Sequence, residues 1–484
     1  MIDLCLRNLK LKQMKKIDKV YINGAFVQPH GTEIFPLVSP TTNEVIGEVT
    51  LGDVEDTRRA IAAAKTAFTH FSRTTREERI VYLQKLHDAV VKRKEEMVAA
   101  MVKEYGGTLQ FSRMSTDHAA NAFLRAIETL RGFDFIRTVG KSKVVLEPLG
   151  VVGIITPWNA SSSFVSNKLA TAISAGCTAV IKPSEMSAIQ TQVLMEALHE
   201  AGLPAGVFNV VNGRGDVVGA ELTRHRDIAK ISFTGSTAVG KAIARGAVDT
   251  MKRVTLELGG KSPNIILDDA DLTKAIPMAV TAGFMNSGQA CIAGTRILVP
   301  EQRLEEIEEL VRSAVEQVKV GDPAKEDTAV GPMVSRKQYD RVQRYIRSGI
   351  EGGARLLAGG EGHPEGLEAG NFVKPTVFTN VTNDMQIARE EIFGPVLSIL
   401  TYKTEEEAIA IANDTDYGLM AYVSSSDAAR AMRVAGEIVA GRVLVNGLTH
   451  DPLAPFGGFK QSGMGREYGV YGLEEYVEPK AIIS

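Results

Sequence analysis

Cysteine and tryptophan are both scarce in this chain: three cysteines (Cys5, Cys177, Cys291) and a single tryptophan (Trp158) among 484 residues. Three thiols so far apart build no disulfide framework and match no metal-ligand spacing, so a reducing, cytoplasmic setting and no structural metal are expected. Charge excess is missing too. With 55 Lys and Arg against 58 Asp and Glu, the net charge of −3 gives no reason to expect nucleic acid or an anionic membrane as partner. No stretch approaches the ~20 apolar residues of a membrane span. The first residues, "MIDLCLRNLKLKQMKK", scatter charges through their apolar positions, which excludes the continuous core of a secretory signal. Residues 1–13 read as an extension, because "MKKIDKVYINGAF" from Met14 looks like a fresh start into a strand. Repeats and low-complexity tracts are also lacking. What remains is an ordinary globular composition, 44% hydrophobic and 23% charged, in a chain too long for one core.

Helix comes first. From Asp56 to about Phe135, Ala, Glu, Lys and Arg surround apolar residues at helical spacing. After that, β-branched runs alternate with helix-length segments: "VVGIITP", "TAVIKPS", "VFNVVNG", "IAKISFTG", "RVTLELGG". Runs that are apolar on both faces predict parallel strands between helix layers, a doubly wound α/β sheet. A second alternation, from "NIILDDAD" through "TRILVP", "PTVFTN", "GPVLSIL" and "GLMAYVSSS" to "GRVLVNG", predicts a second α/β domain. The break falls near "LELGGKSP", where two glycines and a proline interrupt the pattern.

Several polar groups fall at the ends of these strands. "FTGSTAVGK", Phe233 to Lys241, passes from strand to helix, so its N–H groups can face an anion, or its glycines can simply ease packing. It resembles a P-loop, but Ala242 replaces the hydroxyl that would ligate Mg²⁺, which disfavours an NTPase. In "IKPSE", Lys182 and Glu185 sit where an open parallel sheet places its ligand crevice. There they suit ribose hydroxyls, and Glu185 would repel a 2′-phosphate, favouring NAD over NADP. Asn159 of "TPWNA" is either a turn former or a neutral donor for an oxyanion. Glu257 of "TLELGGK" is either exposed at a strand end or desolvated into a base. Cys177, in "AISAGCTAVIK", suits a buried structural thiol. Cys291, in "GQACIAGTR", has small neighbours instead: Gly288, Ala290 and Gly294 leave the sulfur accessible, and nearby N–H groups would stabilise its thiolate.

"TPWNA", "IKPSE", "FTGSTAVG", "LELGGK", "GQACIAGTR", "EEIFGPV" and "PFGGFKQSGMGRE" stand in the order and approximate spacing of the NAD(P)-dependent aldehyde dehydrogenase superfamily. The chain resembles that family from "YINGAF" to "YVEPKAI". The resemblance implies an α/β fold with a Rossmann-variant cofactor domain (14–133 and 149–257), a second α/β catalytic domain (258–457) and a small β oligomerisation arm (134–148 and 458–484). It implies Cys291 as nucleophile, Glu257 as general base and Asn159 as oxyanion donor, with Lys168 and Glu467 in proton relay or support. NAD would contact Ile155, Thr156, Pro157, Trp158, Lys182, Ser184 and Glu185. Gly215, Phe233, Gly235, Ser236 and Val239 would surround the adenine and pyrophosphate, Thr234 and Leu258 would also contact the cofactor, and Glu391 and Phe393 would hold the nicotinamide ribose and ring. A homodimer or homotetramer would form by pairing of arm edges.

The reaction so implied is oxidation of an aldehyde to a carboxylic acid through a Cys291 thioester, which Glu257 helps to hydrolyse. A CoA-acylating relative is disfavoured because that branch generally lacks a glutamate at the position of Glu257. A non-catalytic protein on the same fold would not need Cys291, Glu257 and Asn159 together. Ala160, Ser163 and Asn167 are small or polar where relatives acting on simple aldehydes often carry bulk. With His450 and Asp451 on the far wall, they lead us to expect a polar or bulky aldehyde.

Overall fold

Side-chain caps start the early helices where the periodicity predicts them. Asp53 accepts from the N–H groups of Glu55 and Asp56 and closes a capping box at the head of Val54–Phe71. Thr75 and Glu78 do the same for Arg76–Lys92, and Thr108 caps Leu109–Arg131. The computed structural model describes residues 14–483; the expected extension 1–13, with Cys5, lies outside the described residues.

Every strand run singled out in the sequence forms a strand, and the runs sort into two large sheets. In the first, eight strands lie in the order 463–464, 253–257, 228–234, 151–155, 178–182, 208–210, 20–22, 25–27. The five central ones pair in parallel. They are buried on both faces because helices such as Val54–Phe71 and Ser161–Ala175 pack against them. Chain order reverses between Val151–Ile155 and Ile228–Thr234. Strands on either side of such a switch send their following loops in opposite directions, which opens a crevice at their carboxyl ends.

The second sheet has seven strands, in the order 355–358, 376–379, 396–402, 296–300, 263–266, 420–424, 442–445. All its pairs are parallel except the edge strand Arg355–Ala358, which the sequence reading did not anticipate. The chain crosses between the sheets over 258–262, within the expected break. A three-stranded sheet joins Ile136–Val139, Ser142–Pro148 and Val477–Ile482. The expected arm segment 458–484 contributes to that sheet only from Val477. Ahead of it, Gly463–Met464 pairs antiparallel with Leu256–Glu257 and caps the edge of the first sheet. Another small sheet, Lys15–Ile17 with Val45–Thr50 and Ile34–Val38, also went unread. Its short, polar-interrupted strands carry little alternation. Among the described residues no helix is long and apolar enough to cross a membrane, and no cluster of three metal-ligating side chains occurs.

Candidate active site

Carboxyl ends of the first sheet meet amino ends of the second, and most of the singled-out residues lie along this junction. Thr156 to Asn159 follow strand Val151–Ile155; Leu258 follows Arg253–Glu257. Cys291 precedes strand Arg296–Pro300, and Glu391 and Phe393 precede Val396–Tyr402. Close approaches lock the two sides together. A side chain at Gly260 would come within 2.4 Å of the Cys291 carbonyl oxygen, and one at Gly259 within 2.7 Å of Glu391 Oε2.

The loop that carries Cys291 is built from an unusual backbone. Asn286, Ser287 and Gly288 take φ of 49°, 58° and 70°, three successive left-handed residues after helix Leu272–Phe284. Gly288 and Gly294, expected to leave room around the sulfur, are also required by close packing: a Cβ on Gly288 would lie 2.2 Å from the Gly394 carbonyl, and one on Gly294 3.0 Å from the Tyr422 ring. Side chains that the sequence reading passed over hold the turn. Ser287 Oγ accepts from the Gly331 N–H at 2.9 Å. Asn286 accepts from the Tyr105 hydroxyl at 2.9 Å and donates to the Gln289 carbonyl at 3.1 Å. Gln289 donates to the Pro332 carbonyl at 3.2 Å and accepts from the Val334 N–H at 2.9 Å. Only the Asn-Ser-Gly run hinted at this in the sequence, since it favours positive φ. Asn159 joins the same network: its Nδ2 donates one hydrogen to the Gln289 carbonyl at 3.0 Å, leaving the second hydrogen of that amide for another acceptor.

Cys291 is partly exposed, whereas Cys177 is fully buried, as expected of a structural thiol. The expected stabilisation of the Cys291 thiolate does not prevail. Burial pushes the thiol up to about 12, the Glu391 and Glu257 carboxylates push in the same direction, and the N–H groups of Cys291 and Ile292 oppose them too weakly. Glu257 is desolvated at the end of its strand. Both carboxyl oxygens are buried without a hydrogen-bond partner among the described residues. Burial, then the neighbouring Glu467 carboxylate, raises its pKa well above the ordinary range against Lys168, Arg466 and Arg442. Lys168 and Glu467, 299 residues apart, form a buried ion pair beside it. Lys168 also donates to Ser232 Oγ at 3.1 Å, and Asn167 Nδ2 donates to Glu467 at 3.4 Å.

At the switch point, the hydroxyls of Thr156 and Thr234 close neighbouring strands and lie buried with no partner among the described residues. Lys182 is buried and pairs with Glu185 at 3.1 Å; Arg214 approaches Glu185 at 3.9 Å. Ser184 accepts from the Met186 N–H, and Ser236 caps helix Thr237–Val248 by accepting from the Val239 N–H at 3.4 Å. Val239 is 48% exposed at that helix start, while Ile155, Phe233 and Leu258 are buried beneath. A side chain at Gly215 would meet nothing within 4 Å, so packing within the chain does not account for the glycine. Trp158 stands edge-on to Phe393, ring centres 5.4 Å apart, while Pro157 precedes it. Glu391 accepts from the Gly260 N–H at 3.0 Å. Orphaned hydroxyls, an uncapped glycine and a lysine–carboxylate pair along one crevice fit a nucleotide with ribose hydroxyls.

The model of the aldehyde dehydrogenase family matches residues 26–482. The chain is 45% identical over 472 residues to 3-succinoylsemialdehyde-pyridine dehydrogenase of Pseudomonas sp, covering 97% of this chain and 99% of that protein. Its structure is similar to that of a mutant of aldehyde dehydrogenase C from Pseudomonas syringae, complexed with NAD⁺ and octanal, with a TM-score of 0.95 and 46% identity over 96% of each chain. It is also similar to betaine aldehyde dehydrogenase from Staphylococcus aureus in complex with NAD⁺, with a TM-score of 0.94 and 36% identity over 98% of this chain and 95% of that one. A thiol, a desolvated carboxyl and a free amide hydrogen at the junction of the two sheets agree with these likenesses, and the chain belongs to the aldehyde dehydrogenase family.

Proposed function

We propose that the protein oxidises a polar or bulky aldehyde to its carboxylic acid, with NAD preferred over NADP and Cys291, Asn159 and Glu257 doing the covalent, oxyanion and base work. One observation carries the reading: Asn159 keeps an amide hydrogen free while its other hydrogen is tied to the loop that bears Cys291. The Cys291 thiol gives up its proton to solvent as its sulfur bonds to the aldehyde carbon, and the charge that develops on oxygen meets the Asn159 amide and the Cys291 N–H. The chemistry that NAD supplies when bound is acceptance of a hydride. Cys291 then holds the acyl group as a thioester, and Glu257 takes a proton from the water that hydrolyses it. That carboxyl must be ionised to act, and its raised pKa makes deacylation accelerate as pH rises through that value. The buried ion pair of Lys168 and Glu467 beside Glu257 would support it or, through the Glu467 carboxylate, relay its proton.

Thr156, Thr234, Lys182, Glu185 and Glu391 would hold the cofactor. The Glu185 carboxylate, half-turned towards solvent beside Lys182, supports NAD, because a 2′-phosphate would face a negative charge there. Ala160, Ser163 and Asn167 support a roomy, polar substrate path. The two sheets support a cofactor unit and a catalytic unit meeting near 257–262. Three scattered cysteines that build no disulfide framework support the cytoplasm. The free edges of the three-stranded sheet support a homodimer or homotetramer.

The test follows NADH absorbance with NAD and an aldehyde panel. Glu257→Gln is expected to yield one NADH per active site in a burst and then stall. Full steady-state turnover by that variant would remove Glu257 from hydrolysis, and a k_cat/K_M profile favouring short alkyl aldehydes would remove the polar or bulky substrate.

A further inference from the structure

A buried carboxylate stands behind the turn that carries Ser184 and Glu185. Glu104, at the end of helix Lys94–Tyr105, is 3% exposed and reaches across to the start of helix Ala188–Glu200. Its Oε1 accepts from the Ile189 N–H at 2.7 Å; its Oε2 accepts from the Gln190 N–H at 3.0 Å and from Gln190 Nε2 at 3.2 Å. Of the charged groups, Lys15 on strand Lys15–Ile17 acts on it most, yet less than burial or any of these hydrogen bonds. Glu185, on the turn itself, pairs with Lys182 instead. Burial prevails and pushes the Glu104 carboxyl up to about 7.

Ser187 holds the N-cap position of that helix, where a serine would ordinarily accept from the first free N–H groups. Here it makes no such bond. Its hydroxyl donates to the Ser184 carbonyl at 2.9 Å and pairs with the Ser161 hydroxyl at 3.1 Å. Ser187 thus fastens the turn of Ser184 and Glu185 to the head of helix Ser161–Ala175, just after Asn159. Glu104 supplies the missing cap from another element, at the positive end of the helix where a carboxylate is favoured. Desolvating that carboxylate is costly, and what it secures is the backbone directly behind the turn.

Resting on the NAD-binding reading above, we infer that Glu104 is a positioning residue for the cofactor: its carboxylate fixes the first turn of helix Ala188–Glu200, and that turn sets where Ser184 and Glu185 stand towards the adenosine ribose. The ionised carboxyl is the form that accepts all three N–H donors. Protonation turns one acceptor into a donor, so the cap is complete above the carboxyl's own value and fails as pH falls through it, and NAD affinity falls with it.

Equilibrium dialysis with NAD alone, without aldehyde or turnover, compares wild type, Glu104→Gln and Glu104→Asp at pH 8 and pH 6. At pH 8, Glu104→Gln is expected to bind NAD about tenfold more weakly, and Glu104→Asp to recover part of the loss. At pH 6 the wild-type carboxyl is mostly protonated, so the gap between wild type and Glu104→Gln should narrow to about twofold. Wild type by itself should lose roughly fivefold in affinity from pH 8 to pH 6, a measurement that stands even where Glu104→Gln fails to fold. Equal affinities at pH 8, a gap unchanged at pH 6, or a wild type indifferent to pH would overturn the positioning role while leaving NAD binding intact. No NAD retained by wild type at either pH would overturn the cofactor reading as well.

Discussion

At Cys291 two local effects pull in opposite directions, and burial wins over the backbone N–H groups. The cofactor-free protein therefore keeps a protonated thiol at neutral pH, held at about 12 by desolvation and by the Glu391 and Glu257 carboxylates. Since a raised pKa means less thiolate at a given pH, alkylation by iodoacetamide at pH 8 should run at least about tenfold slower than for an ordinary thiol of pKa ~8.5. The rate should keep climbing about tenfold per pH unit beyond pH 10, whereas levelling off by about pH 9.5 would show an ordinary thiol. Asn159 acts at the same scale through its free amide hydrogen. Asn159→Ala should slow the NADH burst by on the order of 10²-fold, and an unchanged burst with a good substrate would free Asn159 of the oxyanion role. Residue types were legible here because a nucleophile, a base and a neutral donor each need particular atoms. The direction of the Cys291 shift was not, because the two carboxylates that set it arrive from segments about 34 and 100 positions away in sequence.

At the scale of elements, the turn from Met285 to Cys291 does more than present a sulfur. Its left-handed residues, and the Tyr105, Asn286 and Gln289 side chains, fix the carbonyl against which Asn159 is held. Asn286→Ala would leave the buried Tyr105 hydroxyl hydrogen without its acceptor, a loss of about 1–3 kcal/mol in stability. It should also slow the burst roughly tenfold or more through misplacement of Asn159, with K_M for NAD unchanged. Thermal unfolding and burst kinetics on the same sample check both parts, and a fall in melting temperature without any kinetic change would mean the network only supports the fold. Strands and helices were readable from periodicity, since each is decided by short-range propensity and one buried face. Short strands such as Ile34–Val38 escaped because proline and exposed positions break their alternation.

At the scale of the whole molecule, the three-stranded sheet leaves two unpaired edges, Ile136–Val139 and Val477–Ile482. Ile136 and Val139 are 57% and 62% exposed, a cost that a second subunit would remove. For the proposed homo-oligomer, Ile136→Lys combined with Val139→Lys should lower the mass in sedimentation while the far-ultraviolet circular dichroism stays the same. An unchanged mass would show that assembly does not use this edge. The sequence by itself determined the α/β class, the succession of strands and the split into two sheets near 257–262, because these depend on composition and local pattern, while the roles of Cys291, Glu257 and Asn159 were implied only by the resemblance of its ordered motifs to a family. Only the tertiary structure decided which groups meet: Asn159 with the Gln289 carbonyl across 130 positions, and Lys168 with Glu467 across 299. Desolvation and charge coupling act through space, and chain separation carries no record of them.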